Sequence, residues 1–271
     1  MPSVSDTRKK LHDLEGLLQE MGSVVITYSG GLDSGFLLAV ASRVLGEGAV
    51  AVTAVSPTLP ASEREQAEQI ARRLGVRHLL ETSRELDNPR YSENRPDRCY
   101  HCKSELFRLA EERRAELGFV HLADGATPDD LGDYRPGLQA ASEAGVRHPL
   151  IEAELGKAEI RQLARKMNLE FWDKSASACL ASRIPYGTPI TAERLLRIEK
   201  MEAALKEMGL RQLRVRLHGD AARIEVARDE IQRAFEMREG IVHAAREAGV
   251  AFVALDLEGY RTGSLNEALQ R

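Results

Sequence analysis

The sequence predicts an α/β fold built on a doubly wound parallel sheet, followed by a smaller C-terminal α+β domain. Apolar, β-branched runs alternate with helical patterns through the first half of the chain, which is typical of right-handed β-α-β crossovers. In the second half, two short alternating strands lie between long helical patterns. A second unit of a different class is therefore expected there.

The first half follows this alternation segment by segment. The predicted elements are helix 3–21, strand 24–28, helix 33–45, strand 50–55, helix 61–74, strand 76–80, a helix after the second cysteine up to 117, and strand 119–123. In such sheets ligands bind beyond the carboxyl ends of the strands. The residues that follow each strand are therefore candidates for a binding site.

The second half predicts an α-β-β-α-β unit. Its elements are helix 191–208 with Thr191 as N-cap, hairpin strands 212–217 and 223–226, helix 229–248 and strand 250–257. A further helix, 157–167, is expected before this unit. We predict a boundary near Pro185. Residues 1–184 would form the nucleotide-binding domain, and residues 185–271 would form a substrate-binding and oligomerisation domain.

Composition limits the classes of function. The chain has 271 residues, with 38 Lys+Arg against 42 Asp+Glu and a net charge of −4. This balance argues against coating nucleic acid or an acidic membrane by bulk charge. The N-terminus lacks the apolar core of a signal peptide, and no apolar run reaches the ~20 residues of a membrane span. We expect a cytoplasmic protein.

A glycine-rich loop joins the first strand to the next helix. Ser29, Gly30 and Gly31 lead into Asp33 and Ser34, so small residues let a phosphate approach the backbone N–H groups at a helix start. The hydroxyls add donors, and Asp33 would hold Mg²⁺ or cap the helix. The pattern S-G-G-x-D-S is the signature of the PP-loop ATP pyrophosphatases. The alternative is a turn that only closes a β-α unit.

Two further strand ends supply candidates for the nucleotide site. Ser56 follows the second strand and would line the adenosine pocket. Asp124 and Gly125 follow the fourth strand. These positions converge with the glycine-rich loop at one edge of the predicted sheet.

Three cysteines form a second constellation. Cys99 and Cys102 make a C-x-x-C pair, and Cys179 lies in a later loop. The odd count does not indicate a secreted disulfide framework. Three readings stay open: a 4Fe–4S cluster on three thiolates with one open iron, a persulfide or dithiol relay of sulfur, and zinc or inert thiols.

Arginines cluster near the predicted hairpin of this acidic chain. Arg214 and Arg216 alternate on one strand and therefore share a face. Together with Arg183 they would form a cradle for phosphate or carboxylate groups. A solvated strand face is the alternative. Glu202 and Glu225 would be salt-bridge partners, metal ligands or neither.

Together these motifs resemble the LarE-type ATP-dependent sulfur insertases of nickel-pincer nucleotide biosynthesis, over essentially the whole chain. The Asp-Tyr-Arg-Pro-Gly and Ser-Arg-x-Pro-Tyr-Gly segments are the most specific. The matching segments are 28–34, 98–103, 124–125, 133–137, 182–187, 214–216 and 255–256.

The resemblance implies a substrate and a reaction. The carboxylates of pyridinium-3,5-biscarboxylic acid mononucleotide would be adenylated with ATP and Mg²⁺ and converted to thiocarboxylates, with free sulfide or a persulfide as sulfur donor. It also implies that Arg183, Arg214, Arg216 and Glu202 lie around the substrate phosphate or the catalytic site. A homo-oligomer is expected, without nucleic acid or membrane partners.

One departure bears on the mechanism. Some family members sacrifice a single loop cysteine, which aligns with Ala178 here. This chain has instead the pattern of Cys99, Cys102 and Cys179, so the resemblance implies a 4Fe–4S cluster and a protein that survives many turnovers.

The main rival is a 4Fe–4S-dependent tRNA thiolase of the same superfamily, which usually brings extra cysteines or a basic RNA-binding surface. An amide-forming PP-loop synthetase leaves the cysteines without a role. A nucleotide sensor with structural zinc is the non-catalytic alternative.

Overall fold

A computed structural model describes residues 4–132, 136–174 and 178–261. The elements in chain order are α1 (Val4–Met21), β1 (Val24–Thr27), α2 (Leu32–Leu45), β2 (Ala49–Val55), α3 (Ala61–Arg73), β3 (Arg77–Thr82), α4 (Pro89–Ser92), α5 (Arg98–Leu117), β4 (His121–Ala123), α6 (Pro136–Glu143), α7 (Pro149–Glu152), α8 (Lys157–Lys166), α9 (Ala192–Glu207), β5 (Leu213–His218), β6 (Ala221–Val226), α10 (Ile231–Glu236), α11 (Arg238–Glu247) and β7 (Phe252–Leu255). Among the described helices, none combines the length and the apolar character that crossing a membrane requires.

The chain divides into two compact units that are not single stretches of sequence. The first unit comprises Met1–Ser56, Ala61–Glu85 and Asp97–Ser177. The second comprises Pro57–Pro60, Leu86–Pro96 and Ala178–Arg271. This division differs from the single cut predicted near Pro185, because two short segments from the first half of the chain belong to the second unit.

The first unit contains a four-stranded parallel sheet in the order β3-β2-β1-β4. The predicted α/β architecture with a parallel sheet is therefore confirmed. Val24 of β1 pairs with Ala49 on one side and with His121 on the other. Because all four strands are parallel, their carboxyl ends meet at one edge of the sheet, where the loop after β1 begins.

Alternating side chains of β1 divide the core into two layers. Val24 and Ile26 pack in one apolar cluster with Phe36 of α2. Val25 points to the opposite face and packs with Phe107 of α5. Both faces of the central strand are thus covered by helices, which is the arrangement that a continuous apolar strand requires.

The second unit contains a three-stranded sheet in the order β5-β6-β7. β5 and β6 form the predicted antiparallel hairpin, and β7 adds parallel to β6. The prediction of one helix over 229–248 is wrong. The chain leaves helical geometry at Met237, with φ −88° and ψ 9°, and this turn lets α10 bury Ala234 while α11 buries Ile241.

Two short segments from the first half are tied to the second unit by hydrogen bonds. Asn94 is fully buried, and its side-chain amide donates to the carbonyls of Ile184 (3.2 Å), Pro185 (2.8 Å) and Thr188 (2.9 Å). The N–H of Leu180 donates to the carbonyl of Thr58 (2.9 Å). These bonds explain why 57–60 and 86–96 belong to a unit formed mainly by later residues.

Candidate active site

The loop between β1 and α2, residues 29–34, forms a phosphate loop at the carboxyl edge of the first unit's sheet. Gly30 has φ +74°, a conformation that disfavours any side chain. Gly31 is the N-cap of α2, with an extended backbone (φ −78°, ψ 171°). The N–H groups of the first helical turn therefore open towards the loop, as an anion site requires.

Hydroxyl groups stabilise the phosphate loop from within. The Oγ atoms of Ser29 and Ser34 lie 3.0 Å apart. The N–H of Gly31 donates to the Oγ of Ser29 (3.3 Å). The structure thus brings together the serines and glycines that the sequence nominates for phosphate binding.

Gly125 places the end of β4 directly against the phosphate loop. A Cβ atom at this position would lie 2.7 Å from both the Cα and the N of Ser34. Only glycine allows this approach of two backbones. The two predicted strand ends therefore meet, which is possible because Gly125 has no Cβ atom.

Asp124 forms a pair that the sequence does not indicate. Its carboxylate lies 2.7 Å from Nδ1 of His148 and also accepts the N–H of Ala126 (3.0 Å). The hydrogen bond to Asp124 raises the pKa of His148 above its ordinary value. His148 follows no recognisable spacing from the strand end, so no local pattern could have selected it.

Asp33 lies half-buried in the first turn of α2, beside other acids. Burial raises its pKa above the ordinary value, nearby Asp130 and Asp129 raise it further, and Lys157 opposes them. Lys157 forms an ion pair with Asp130 (2.7 Å). Carboxylate oxygens are the ligands that Mg²⁺ prefers, and a divalent cation would relieve the repulsion that disfavours ionised Asp33.

Ser56, the predicted adenosine-lining residue, is held by a buried carboxylate. Its hydroxyl donates to Glu85, as does the hydroxyl of Ser83. Glu85 is 3 % exposed. The Ser56 hydroxyl at the end of β2 is thus oriented by Glu85. The sequence analysis did not select Glu85, because it follows β3, 29 residues after Ser56.

Cys99 and Cys102 lie within the first turns of α5, not before it. Three residues apart on a helix, they share one face; Cys99 is exposed and Cys102 is half-buried. His101 faces Asp97 instead, with Nε2 3.6 Å from the carboxylate.

Cys179 belongs to the second unit, where it is exposed and precedes the 3₁₀ turn Leu180–Arg183. Its carbonyl accepts bonds from the Arg183 guanidinium (3.0 Å) and the Ser182 hydroxyl (2.8 Å). All three cysteines are among the described residues, and none forms a disulfide.

The donor set of the three cysteines suits an iron–sulfur cluster, whose usual ligands are thiolates. Each of them is at least partly exposed, and two share a helix start. Within the described ranges, no three Cys, His, Asp or Glu side chains are grouped as a metal site. The chemistry of these residues thus fits the group.

A buried arginine core lies in the second unit; we use this name for Arg183, Arg214 and Arg216 with Glu202 and Glu225. Arg183 is 2 % exposed and binds Glu202 through two parallel hydrogen bonds (2.8 and 2.9 Å). The carboxylate of Glu202 also accepts the N–H of Val215 (3.0 Å). Glu202 thereby fixes Arg183 against β5.

Arg216 and Arg214 complete the arginine core from neighbouring positions of β5. Arg216 pairs with Glu225 (2.9 Å) and donates to the carbonyl of Ser182 (2.8 Å). The Arg214 guanidinium stacks over the ring of Tyr260, 5.2 Å from its centroid. Burial, and then the nearby charge of Arg183, lower the pKa of Arg214. The predicted cluster is present, with two of its arginines held by internal carboxylates.

The structure describes only the last two residues of the Asp-Tyr-Arg-Pro-Gly motif. Asp133, Tyr134 and Arg135 of the Asp-Tyr-Arg-Pro-Gly motif lie outside the described residues. Pro136 and Gly137 begin α6. A Cβ atom at Gly137 would lie 3.0 Å from Cγ of Lys103, so the end of this motif packs on the helix that carries the C-x-x-C pair.

Comparison with known proteins adds three relatives and one family model. Residues 17–109 match the asparagine synthase family model. The chain is 43 % identical to an uncharacterised protein of Synechocystis, over 97 % of this chain and 98 % of that protein. It is 34 % identical to the pyridinium-3,5-bisthiocarboxylic acid mononucleotide synthase of Lactiplantibacillus plantarum, over 95 % of this chain and 94 % of that protein. An uncharacterised protein of Methanocaldococcus jannaschii is 27 % identical, over 94 % of this chain and 98 % of that protein.

Proposed function

The chain belongs to the PP-loop family of the pyridinium-3,5-bisthiocarboxylic acid mononucleotide synthase, and from this membership we propose a substrate and a sulfur route for it. It is an ATP-dependent sulfurtransferase. The proposed substrate is pyridinium-3,5-biscarboxylic acid mononucleotide, whose two carboxylates become thiocarboxylates. The product would serve nickel-pincer nucleotide biosynthesis.

The contact of Gly125 with Ser34 is the observation that carries the nucleotide part of this proposal. It joins the end of β4 to the phosphate loop, so that the loop N–H groups and two hydroxyls can bind ATP phosphates. A substrate carboxylate oxygen then attacks the α-phosphorus, and pyrophosphate leaves. Asp33 would hold Mg²⁺, which neutralises the leaving phosphates; Ser56 and Asp124 would line the nucleoside side.

The second half of the reaction replaces the adenylate with sulfur. A sulfide attacks the acyl carbon, the bond to the AMP oxygen breaks, and one thiocarboxylate and one AMP are formed. One ATP is consumed for each carboxylate. Loss of AMP is favourable because the carboxylate oxygen that leaves is now part of a phosphate, whereas an unactivated carboxylate would have to expel oxide or hydroxide.

The arginine core would hold the anionic groups of the substrate. Arg214 carries positive charge in a half-buried position near two other guanidinium groups, which is the reason its pKa is lowered. An anion placed beside it would relieve that repulsion. We assign Arg183, Arg214 and Arg216 to the substrate phosphate or carboxylates, and Glu202 to positioning Arg183.

Sulfur delivery is assigned to Cys99, Cys102 and Cys179 as the ligands of a 4Fe–4S cluster. Such a cluster, held by three thiolates, would supply one open iron as a site for sulfur. The chain's own contribution is to place the first two thiols on one face at the start of α5 and to fix the Cys179 backbone through Arg183. A homo-oligomer and a reducing cytoplasmic setting remain predictions.

The test is anaerobic turnover of the full-length protein with the mononucleotide, ATP, Mg²⁺ and sulfide. We expect AMP and pyrophosphate, a product with oxygen replaced by sulfur in mass spectra, and iron and acid-labile sulfide in the protein. Omission of ATP is the matched control. Stoichiometric loss of sulfur from Cys179 without bound iron would refute the cluster route, and absence of ATP-dependent product would refute the activity.

A further inference from the structure

The Lys174 side chain makes three contacts with residues that are distant in sequence. Its Nζ donates to the carbonyl oxygen of Gly30 (3.0 Å) and to the amide oxygen of Gln66 (2.9 Å). It also forms an ion pair with Glu63 (2.7 Å), and both charged side chains are mostly buried, at 13 % and 14 % exposed. An ammonium has three donors, so these partners use all of them.

The partner in the phosphate loop is the peptide that joins its two glycines. Neither Gly30 nor Gly31 has a Cβ atom, so rotation of this peptide meets little steric resistance. In a trans peptide the carbonyl and the following N–H point in opposite directions. Holding the Gly30 carbonyl therefore also sets the direction of the Gly31 N–H.

That direction decides whether the loop attracts or repels an anion. With the carbonyl bound to Lys174, the Gly31 N–H turns to the side of Ser29 Oγ, where the loop hydroxyls lie. Rotation of the peptide would present the carbonyl oxygen there instead, and a phosphate would meet a negative dipole.

The backbone of Lys174 is itself held in place. The Arg161 guanidinium donates to the carbonyls of Trp172 (3.1 Å) and Lys174 (3.3 Å). The Phe171 ring lies against the start of α2, since a Cβ atom at Gly35 would come within 2.9 Å of it. Lys174 is thus presented to the phosphate loop by a segment anchored on two helices.

We propose that Lys174 is a positioning residue for ATP: its ammonium holds the Gly30–Gly31 peptide with the N–H towards the phosphates. Glu63 and Gln66 direct the ammonium to the carbonyl and keep it from the solvent. This inference rests on the proposed binding of ATP at the phosphate loop. It assigns a role to a residue outside the glycine-rich motif.

The test compares Lys174→Met, Lys174→Arg and the exposed control Lys166→Met in the full-length protein. For Lys174→Met we expect the KM for ATP to rise about tenfold, the size of a lost charge-assisted hydrogen bond, with kcat at saturating ATP within about twofold. Lys174→Arg should recover part of the affinity because it keeps a cationic donor. Lys166→Met should match the wild type.

Lys174→Met alone leaves the mostly buried Glu63 without this counterion, which could destabilise the fold. A double variant, Glu63→Gln with Lys174→Met, removes both charges and therefore separates an effect on ATP binding from an effect on folding. It should share the raised KM for ATP while unfolding near the wild-type temperature. An unchanged KM in both variants overturns the inference, as does a fall in kcat with KM unchanged. If the wild type neither binds nor consumes ATP, the proposed function itself fails. If the wild type turns over ATP and only the Lys174 variants keep an unchanged KM, this inference alone fails.

Discussion

The phosphate loop and the arginine core both build positive potential, and they do so by different means. The loop uses peptide N–H groups and hydroxyls from neighbouring residues, such as Ser29 and Ser34. The arginine core uses full charges from distant ones: Arg183 and Glu202 are 19 positions apart. One region depends on local backbone conformation, and the other on the folding of a whole unit.

Desolvation explains the difference. Backbone dipoles lose little when they face an empty site, whereas a buried guanidinium without a counterion would cost several kcal/mol. Arg183 and Arg216 are therefore neutralised by Glu202 and Glu225 in the protein alone. The phosphate loop instead requires precise backbone contacts, such as that between Gly125 and Ser34.

The largest effect is expected where a buried charge loses its partner. Arg183→Met leaves Glu202 buried without its counterion, so the free energy of unfolding should fall by about 3–5 kcal/mol in urea titrations. Arg108→Met, which removes exposed ion pairs with Glu105 and Glu112, should cost less than about 1 kcal/mol. Equal losses in the two variants would contradict the assigned burial.

Replacing Arg183 and Glu202 together by Met and Leu should recover much of this loss, since no unpaired charge remains. A double variant no more stable than Arg183→Met would mean that the packing of the guanidinium, not its charge, supports the unit.

A methyl group at position 125 tests the backbone contact of the phosphate loop. Gly125→Ala forces Cβ against Ser34, so we expect a loss of about 1–3 kcal/mol and weaker ATP binding by calorimetry. Gly132→Ala is the control, because a Cβ atom there meets nothing within 4 Å. Wild-type ATP affinity in Gly125→Ala would show that the strand end does not shape the site.

The pair of His148 and Asp124 should make stability depend on pH. Because the pKa of His148 is raised in the fold, its contribution is full below the unfolded pKa of about 6.5 and is lost as pH rises through the folded pKa. Asp124→Asn should therefore cost about 1 kcal/mol near pH 6 and less at higher pH. The exposed control Asp173→Asn should show no such trend, and a constant loss for Asp124→Asn would contradict the pairing.

The smallest effect on stability is expected at Asp33. Its pKa is raised by burial and neighbouring acids, so the ionised form destabilises the fold at neutral pH, and the penalty disappears as pH falls through the raised pKa. Asp33→Asn should raise Tm at neutral pH by less than about 2 °C. The same variant should lose Mg²⁺-dependent turnover. A lower Tm would contradict the electrostatic account.

Local patterns predicted the fold and the local parts of the site. Three features were predictable because each depends on neighbours in sequence: the apolar run of β1, the glycines of the phosphate loop and the N-cap Thr191. The Thr191 hydroxyl accepts the N–H of Arg194 (3.2 Å), as an N-cap should.

The residues that were missed depend on distant partners. His148 pairs with Asp124 across 24 positions, and Lys174 reaches Gly30 across 144. Glu85 likewise reaches Ser56 across 29 positions. Neither periodicity nor spacing encodes such contacts, since they arise only when the sheet and its helices have assembled.

The hydrogen bonds of Asn94 and Thr58 to later residues have a consequence for synthesis and for dissection of the protein. The segments 57–60 and 86–96 leave the ribosome well before residues 178–261, so the second unit cannot close until nearly the whole chain has been made. A fragment comprising residues 185–271 would lack Asn94, whose side-chain amide donates to the carbonyls of Pro185 and Thr188. We therefore expect such a fragment to be a poor autonomous folder, and any truncation series should retain both early segments.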